Sequence, residues 1–105
     1  MLSALSSDDS NGYIVRLVEV YDRSGRVYMI LELMEGGKLT DIIQKADGNY
    51  SEAFCKYSLY CVVRGLLSMH RKSILHRDIK SDNILVSRVD AAAIKICDLG
   101  YAVFL

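Results

Sequence analysis

The sequence predicts a mixed α+β fold, and three observations carry that prediction. Residues 13–21 and 27–33 are runs rich in β-branched and aromatic side chains, with a turn between them. Residues 51–71 carry a helical pattern. Two short apolar runs, 84–86 and 94–97, follow that helix as strands.

The elements take their places in order. Residues 1–5 read as the end of a helix that breaks into the polar loop 6–12. Strand 13–21, the turn Asp22-Arg23-Ser24-Gly25 and strand 27–33 form a hairpin. Glu35-Gly36-Gly37 ends the second strand, a turn on its own account, and a short helix follows over 39–45. Asp47-Gly48-Asn49 is a loop. Ser51 caps the long helix and Glu52 favours its first turn. Its polar residues, Lys56, Arg64, Ser68 and Arg71, form a narrow stripe, which predicts a helix buried on most sides. Lys95 reads as an exposed strand residue.

Composition bounds the class. Of 105 residues, 51% are hydrophobic, as in a globular core, and proline is absent, which fits an excerpt better than a complete domain. Thirteen basic and 13 acidic residues cancel, so no bulk charge argues for nucleic acid or an anionic membrane. The three cysteines lack metal-ligand spacing and read as reduced thiols of an intracellular, cytoplasmic protein. The N-terminal stretch is unlike a signal peptide, and no apolar run approaches the ~18 residues of a membrane span.

Chemistry concentrates in His76-Arg77-Asp78-Ile79-Lys80-Ser81-Asp82-Asn83 and in Asp98-Leu99-Gly100. Asp78 and Asn83 share a short loop, and Asp98 follows a strand able to return beside it. Hard oxygen donors of this kind suit Mg²⁺, which takes one or two carboxylates plus substrate phosphates. Lys80 adds a cation for a transferring phosphoryl group, and a carboxylate nearby can accept a proton from an attacking hydroxyl. Residue types alone thus point to metal-assisted phosphoryl transfer.

H-R-D-x-K-x-x-N followed by D-x-G resembles the catalytic loop and metal-binding motif of protein kinases. The run VYMILEL into Glu35-Gly36-Gly37 looks like the fifth kinase strand and the hinge between lobes. Lysine two residues after the aspartate is the serine/threonine pattern. Gly37-Lys38-Leu39-Thr40-Asp41, with the catalytic loop, resembles the Ste20/p21-activated branch most closely. The likeness covers nearly the whole chain. It implies a partial protein-kinase-like fold: 1–32 the end of the N-lobe, 33–37 the hinge, 38–105 the start of the C-lobe.

The resemblance also implies roles. Asp78 would orient and deprotonate a substrate hydroxyl, and Lys80 would touch the γ-phosphate of ATP. Asn83 and Asp98 would hold Mg²⁺. Leu31 would be the gatekeeper, the backbone of Glu32 and Met34 would bond adenine, and Leu85 would pack beneath its ring. Arg77 would pair with an activation-loop phosphate in the full-length protein. Leu2, Leu17, His76 and Leu99 match the hydrophobic column that links the lobes. The partners implied are ATP and a protein substrate.

Departures temper this. A Gly-rich loop and the V-A-I-K lysine are absent upstream, and the activation segment and A-P-E downstream, so the chain alone is expected to be inactive and poorly soluble. Leu99 stands where phenylalanine is usual, and loop 6–12 is longer than the family's. A regulatory module on the same fold, and a small-molecule kinase, are the competing readings. The intact Asp78, Lys80, Asn83 and Asp98 argue against the first, and the Lys-x-x-Asn register with the hinge glycines against the second. Flanking sequence would decide among them.

Overall fold

The structure is a computed structural model, and it describes residues 12–87 and 93–105. The expected helix end at 1–5, most of the loop after it, Leu2 of the column and part of the loop between the last predicted strands lie outside the described residues.

Strands β1 (Leu17–Arg23) and β2 (Arg26–Leu31) form an antiparallel hairpin. Its two turn residues, Ser24 and Gly25, have φ of 55° and 75°. Paired positive φ values are what a tight two-residue hairpin needs to match strand twist, and glycine supplies one without strain. Tyr21 and Tyr28 are cross-strand partners whose rings stack at 5.2 Å. A bulge separates Leu17 from Glu19.

The predicted strand 13–21 is two pieces. Ile14 bridges in parallel to Ile96, with the Val15 amide donating to the Ile96 carbonyl and the Ile96 amide to that of Tyr13. Only at Leu17 does the chain turn to β2. Ile14 and Val15 are buried while the hairpin beyond is exposed, so one β-prone run serves two sheets.

After β2 the chain makes β3 (Gly37–Lys38), which pairs with β5 (Ile84–Val86), itself paired with β6 (Ile94–Ile96). Gly36 and Gly37 both have reasons beyond a turn. A Cβ on Gly36 would lie 2.6 Å from the Val86 carbonyl oxygen, which accepts the Gly36 amide at 2.7 Å. Gly37 has φ of 77°.

Helix α1 (Leu39–Ala46) carries Asp41 in its first turn and Lys45 in its last, complementing the helix dipole, and ends on Asp47 in the left-handed region. In α2 (Glu52–Arg71) the Ser51 hydroxyl accepts the Phe54 amide at 3.0 Å, as the cap pattern predicts. Its buried residues are Ser58, Cys61, Gly65 and Met69, a single stripe at helical spacing. The expectation of burial on most sides is therefore not met. Leu59, Tyr60 and Val63 face outward within the described residues. Gly65 lets β6 and the Tyr13 backbone approach, since a Cβ there would meet Ile96 Cδ1 at 2.7 Å and the Tyr13 oxygen at 3.1 Å.

Two hydrophobic clusters result. Cys61 packs with Ile84, Val86, Ile94 and Ile96, flanked by Leu39, Ile42 and Phe54. Met69 packs with Ile14 and Ile74, flanked by Leu99 and Ala102. Strand β4 (Ile74–Leu75) pairs with β7 (Val103–Phe104), closing the chain over the end of α2.

Candidate active site

The site grows from the segment between β4 and β5. A 3₁₀ turn, Ser81–Asn83, joins that segment to β5, with the Asn83 amide donating to the Lys80 carbonyl. Thr40 in the first turn of α1 meets Ser81 hydroxyl to hydroxyl at 2.7 Å, tying the turn to α1.

Asn83 is buried, and its side-chain nitrogen donates to the Asp78 carbonyl at 2.9 Å and to Asp78 Oδ2 at 3.0 Å. Both partners only accept, so the group facing them must be the NH₂ and the amide oxygen is directed elsewhere. Lys80 Nζ lies 3.8 Å from Asp78 Oδ2, with the lysine side chain 55% exposed. A pair that open is weak and leaves the ammonium able to swing to another anion.

Asp98 follows β6. Ile84 is paired with Ile96, and the Cys97 amide donates to the Asn83 carbonyl at 2.9 Å. The chain therefore reaches Asp98 one residue beyond a direct backbone bond to Asn83. Asp98 has φ of 56°, and its Oδ1 accepts the Gly100 amide at 3.1 Å. Arg77 has φ of 68° and donates from Nε to the Tyr101 carbonyl at 2.7 Å. Non-glycine residues in this region are uncommon and cluster where surrounding contacts impose them.

His76 explains how the two acidic segments keep station. It is 2% exposed, with Nε2 2.9 Å from the Cys97 carbonyl and Nδ1 accepting the Asp78 amide at 3.1 Å. Those partners demand a proton on Nε2 and a lone pair on Nδ1, which fixes the tautomer. Burial, and then the Asp98 charge, push the Cys97 thiol up, so it stays protonated beside the site.

Asn83 and Asp98 supply amide and carboxylate oxygens from adjacent backbone, a hard donor set that fits Mg²⁺. No group of three or more His, Cys, Asp or Glu able to hold a metal occurs among the described residues. Two protein donors are what Mg²⁺ uses when phosphates and water complete its shell.

The remaining predicted residues divide. Leu31 lines a cavity of about 490 Å³ together with Val15, Met29 and the Asp98-Leu99-Gly100 run. Glu32, Met34 and Leu85 do not line it. Met34 is buried, its carbonyl accepting the Gly37 amide at 3.3 Å. Leu85 is half-buried in β5, paired with Lys38 on one side and Lys95 on the other. Leu99 belongs to the Met69 cluster and Leu17 pairs with Leu31.

Lys95 is a correction. Its Nζ lies 2.7 Å from Glu32 Oε1, and the two side chains are only 15% and 20% exposed. The same oxygen accepts the Arg16 amide at 2.8 Å. Burial pushes the Glu32 carboxyl up, but hydrogen bonds from Lys95 and the Arg16 amide outweigh it and hold the group below its usual value. Alternation with Ile94 and Ile96 puts Lys95 on the side away from the core. Nothing in the local sequence names a partner 63 positions away.

Residues 3–105 match the family described as protein kinase domain. A probable serine/threonine-protein kinase 2 of Plasmodium falciparum is 34% identical over 94 residues, covering 89% of this chain and 18% of that protein. Calcium-dependent protein kinase 5 of the same species is 39% identical over 94 residues, 85% of this chain and 16% of the relative. The Candida glabrata serine/threonine-protein kinase STE20 is 37% identical over 97 residues, 90% of this chain and 10% of the relative. The chain thus spans less than a fifth of the length of these relatives.

Proposed function

Since the chain belongs to the protein kinase domain family, we propose that it carries the catalytic loop and metal-binding end of an ATP-dependent serine/threonine kinase acting on protein hydroxyls. One observation carries this reading. Asp78 pins the Asn83 amide, and Asn83 is bonded through backbone to the residue before Asp98. Such an arrangement supports a proton acceptor and two metal ligands working at one point.

In this reading Asp78 orients the substrate hydroxyl and takes its proton. Lys80, exposed and only loosely held, meets the γ-phosphate. Asn83 and Asp98 hold Mg²⁺, which when bound neutralises charge on the phosphate oxygens. Leu31 is the gatekeeper, the backbone of Glu32 and Met34 meets adenine, and Leu85 lies under its ring. Residues 1–32 close the N-lobe, 33–37 are the hinge and 38–105 begin the C-lobe. Arg77, already bonded to the Tyr101 backbone beyond Asp98, pairs with an activation-loop phosphate.

We place the protein in the Ste20 branch on Gly37-Lys38-Leu39-Thr40-Asp41 and the catalytic loop, and in the cytoplasm. Among the described residues no helix is long and apolar enough to cross a membrane.

The test is phosphate transfer from ATP to a protein substrate by the complete protein. Asp78→Asn should lower kcat by roughly 10²–10⁴ with folding unchanged. Wild-type protein that binds ATP yet transfers no phosphate would favour a regulatory module instead.

A further inference from the structure

The part-buried ion pair between Glu32 and Lys95 has no part in the chemistry above, yet it sits between the groups that would grip the two ends of a nucleotide. Glu32 lies one residue beyond β2 and two before Met34. Its own amide donates to the Arg16 carbonyl at 3.0 Å, and its carboxylate accepts the Arg16 amide in return. That carboxylate also takes Lys95 Nζ at 2.7 Å. Lys95 is the centre of β6, cross-strand partner of Leu85 and three residues before Asp98. One carboxylate therefore ties the start of the hairpin, the hinge and the strand that delivers Asp98.

As a source of stability this pair is poor. Taking both charges largely out of water costs much of what their attraction returns. As a source of geometry it is effective, because two donors from separate parts of the chain, the Arg16 amide and Lys95 Nζ, meet at one oxygen. Among the described residues the β1–β2 hairpin shares no strand pairing with the β3–β5–β6 sheet. The Ile14 bridge, just before β1, and this ion pair are directed bonds that link the two.

We propose that Lys95, acting through Glu32, is a positioning residue for ATP that sets the distance between the hinge backbone and Asp98. This rests on the kinase reading of the site. Breaking the link lets the hinge segment shift relative to β6, so a nucleotide spanning both loses affinity. Proton transfer at Asp78 is left alone, because Asp78 is held by Asn83 and His76.

The experiment compares wild-type complete protein with Lys95→Met, Lys95→Arg and Glu32→Gln. KM for ATP, KM for the protein substrate and kcat are measured, with circular dichroism as the check on folding. Lys95→Met should raise KM for ATP about tenfold, while kcat and the protein-substrate KM stay within about twofold. Lys95→Arg, which keeps the charge and a donor, should recover most of the loss. Glu32→Gln, which keeps an acceptor for the Arg16 amide, should fall between them. If Lys95→Met does not fold, Lys95→Gln carries the same criterion. An unchanged KM for ATP in a folded variant overturns the proposal. So does a rise in kcat at unchanged KM, which would make the pair a restraint on lobe motion. Wild-type protein without transferase activity would refute the kinase reading. The ratio of ATP dissociation constants between wild type and variant would then decide the positioning role by itself.

Discussion

Along β1 and β2 nearly every side chain is exposed, Val27 by 67% for instance, whereas β5 and β6 bury Ile84, Val86, Ile94 and Ile96 almost completely. The two regions are built from similar residues, β-branched and aliphatic in both. Their difference lies in neighbours. The β5–β6 pair has α2 across one face and the 3₁₀ turn at its end, so its apolar side chains and backbone are both satisfied. The hairpin is a two-stranded ribbon, an arrangement of marginal stability in water unless something packs on it. Asp78, Asn83 and Asp98 sit on the well-packed region, and residues 33–37 follow directly from the ribbon.

The comparison breaks most visibly at His76. His76→Ala removes a fully packed ring and leaves the Cys97 carbonyl and the Asp78 amide without their partner. Cavity and lost bonds together should cost about 4 kcal/mol in the complete protein, read from chemical unfolding. Val27→Ala, on the exposed ribbon, should change stability by no more than about 0.5 kcal/mol. Similar losses at both positions would mean that the ribbon is as tightly packed as the sheet.

Gly36→Ala tests the junction between the regions. The added methyl would sit 2.6 Å from a backbone oxygen that β5 cannot withdraw without losing its pairing to β3. Overpacking of this kind costs about 2 kcal/mol. Gly12→Ala, whose new Cβ would meet nothing within 4 Å, is the control. A neutral Gly36→Ala would show that residues 33–37 have room to move away from β5.

Within the ribbon the Tyr21–Tyr28 rings stack across the strands. Tyr28→Ala should cost about 1 kcal/mol. Amide hydrogen exchange should then speed up across β1 and β2 while β5 and β6 are unaffected. Spread of the effect to β6 would make the two regions one cooperative unit.

How far these regions could be read from the sequence follows from the same physics. The α2 helix and its Ser51 cap were legible because cap chemistry and helical spacing are local. So was the proximity of Asp78, Asn83 and Asp98, since a short loop and a returning strand leave few other geometries. The split at Leu17 was not legible, because residues 13–21 are uniformly β-prone and only tertiary pairing tells Ile14 from Val20. Two-residue strands such as β4 and β7 exist by virtue of their partner and carry no pattern of their own. Burial of α2 was overestimated because apolar residues state what a helix can bury, not what is present to cover it. The Lys95 misreading has a similar cause: period two assigns a side, and the side chain's partner on that side came from a distant element.

Proton linkage at Glu32 gives the finest test, and its sign can be worked out. The folded carboxyl lies below its ordinary value, burial being outweighed by Lys95 and the Arg16 amide. A depressed folded value means that the unfolded chain binds a proton first as pH falls. The stabilisation is therefore complete above the unfolded value of about 4.3 and is lost as pH drops through the folded one. The difference in melting temperature between wild type and Glu32→Gln should be constant from pH 7 to about pH 5 and shrink below about pH 4. Glu52, paired with Lys56 at 3.3 Å but with both side chains more than three-quarters exposed, serves as the reference. Its Gln variant should cost far less stability at neutral pH, because water and salt screen a pair that open. Should the Glu32 gap persist unchanged to pH 3, the carboxylate would owe its place to packing and not to charge.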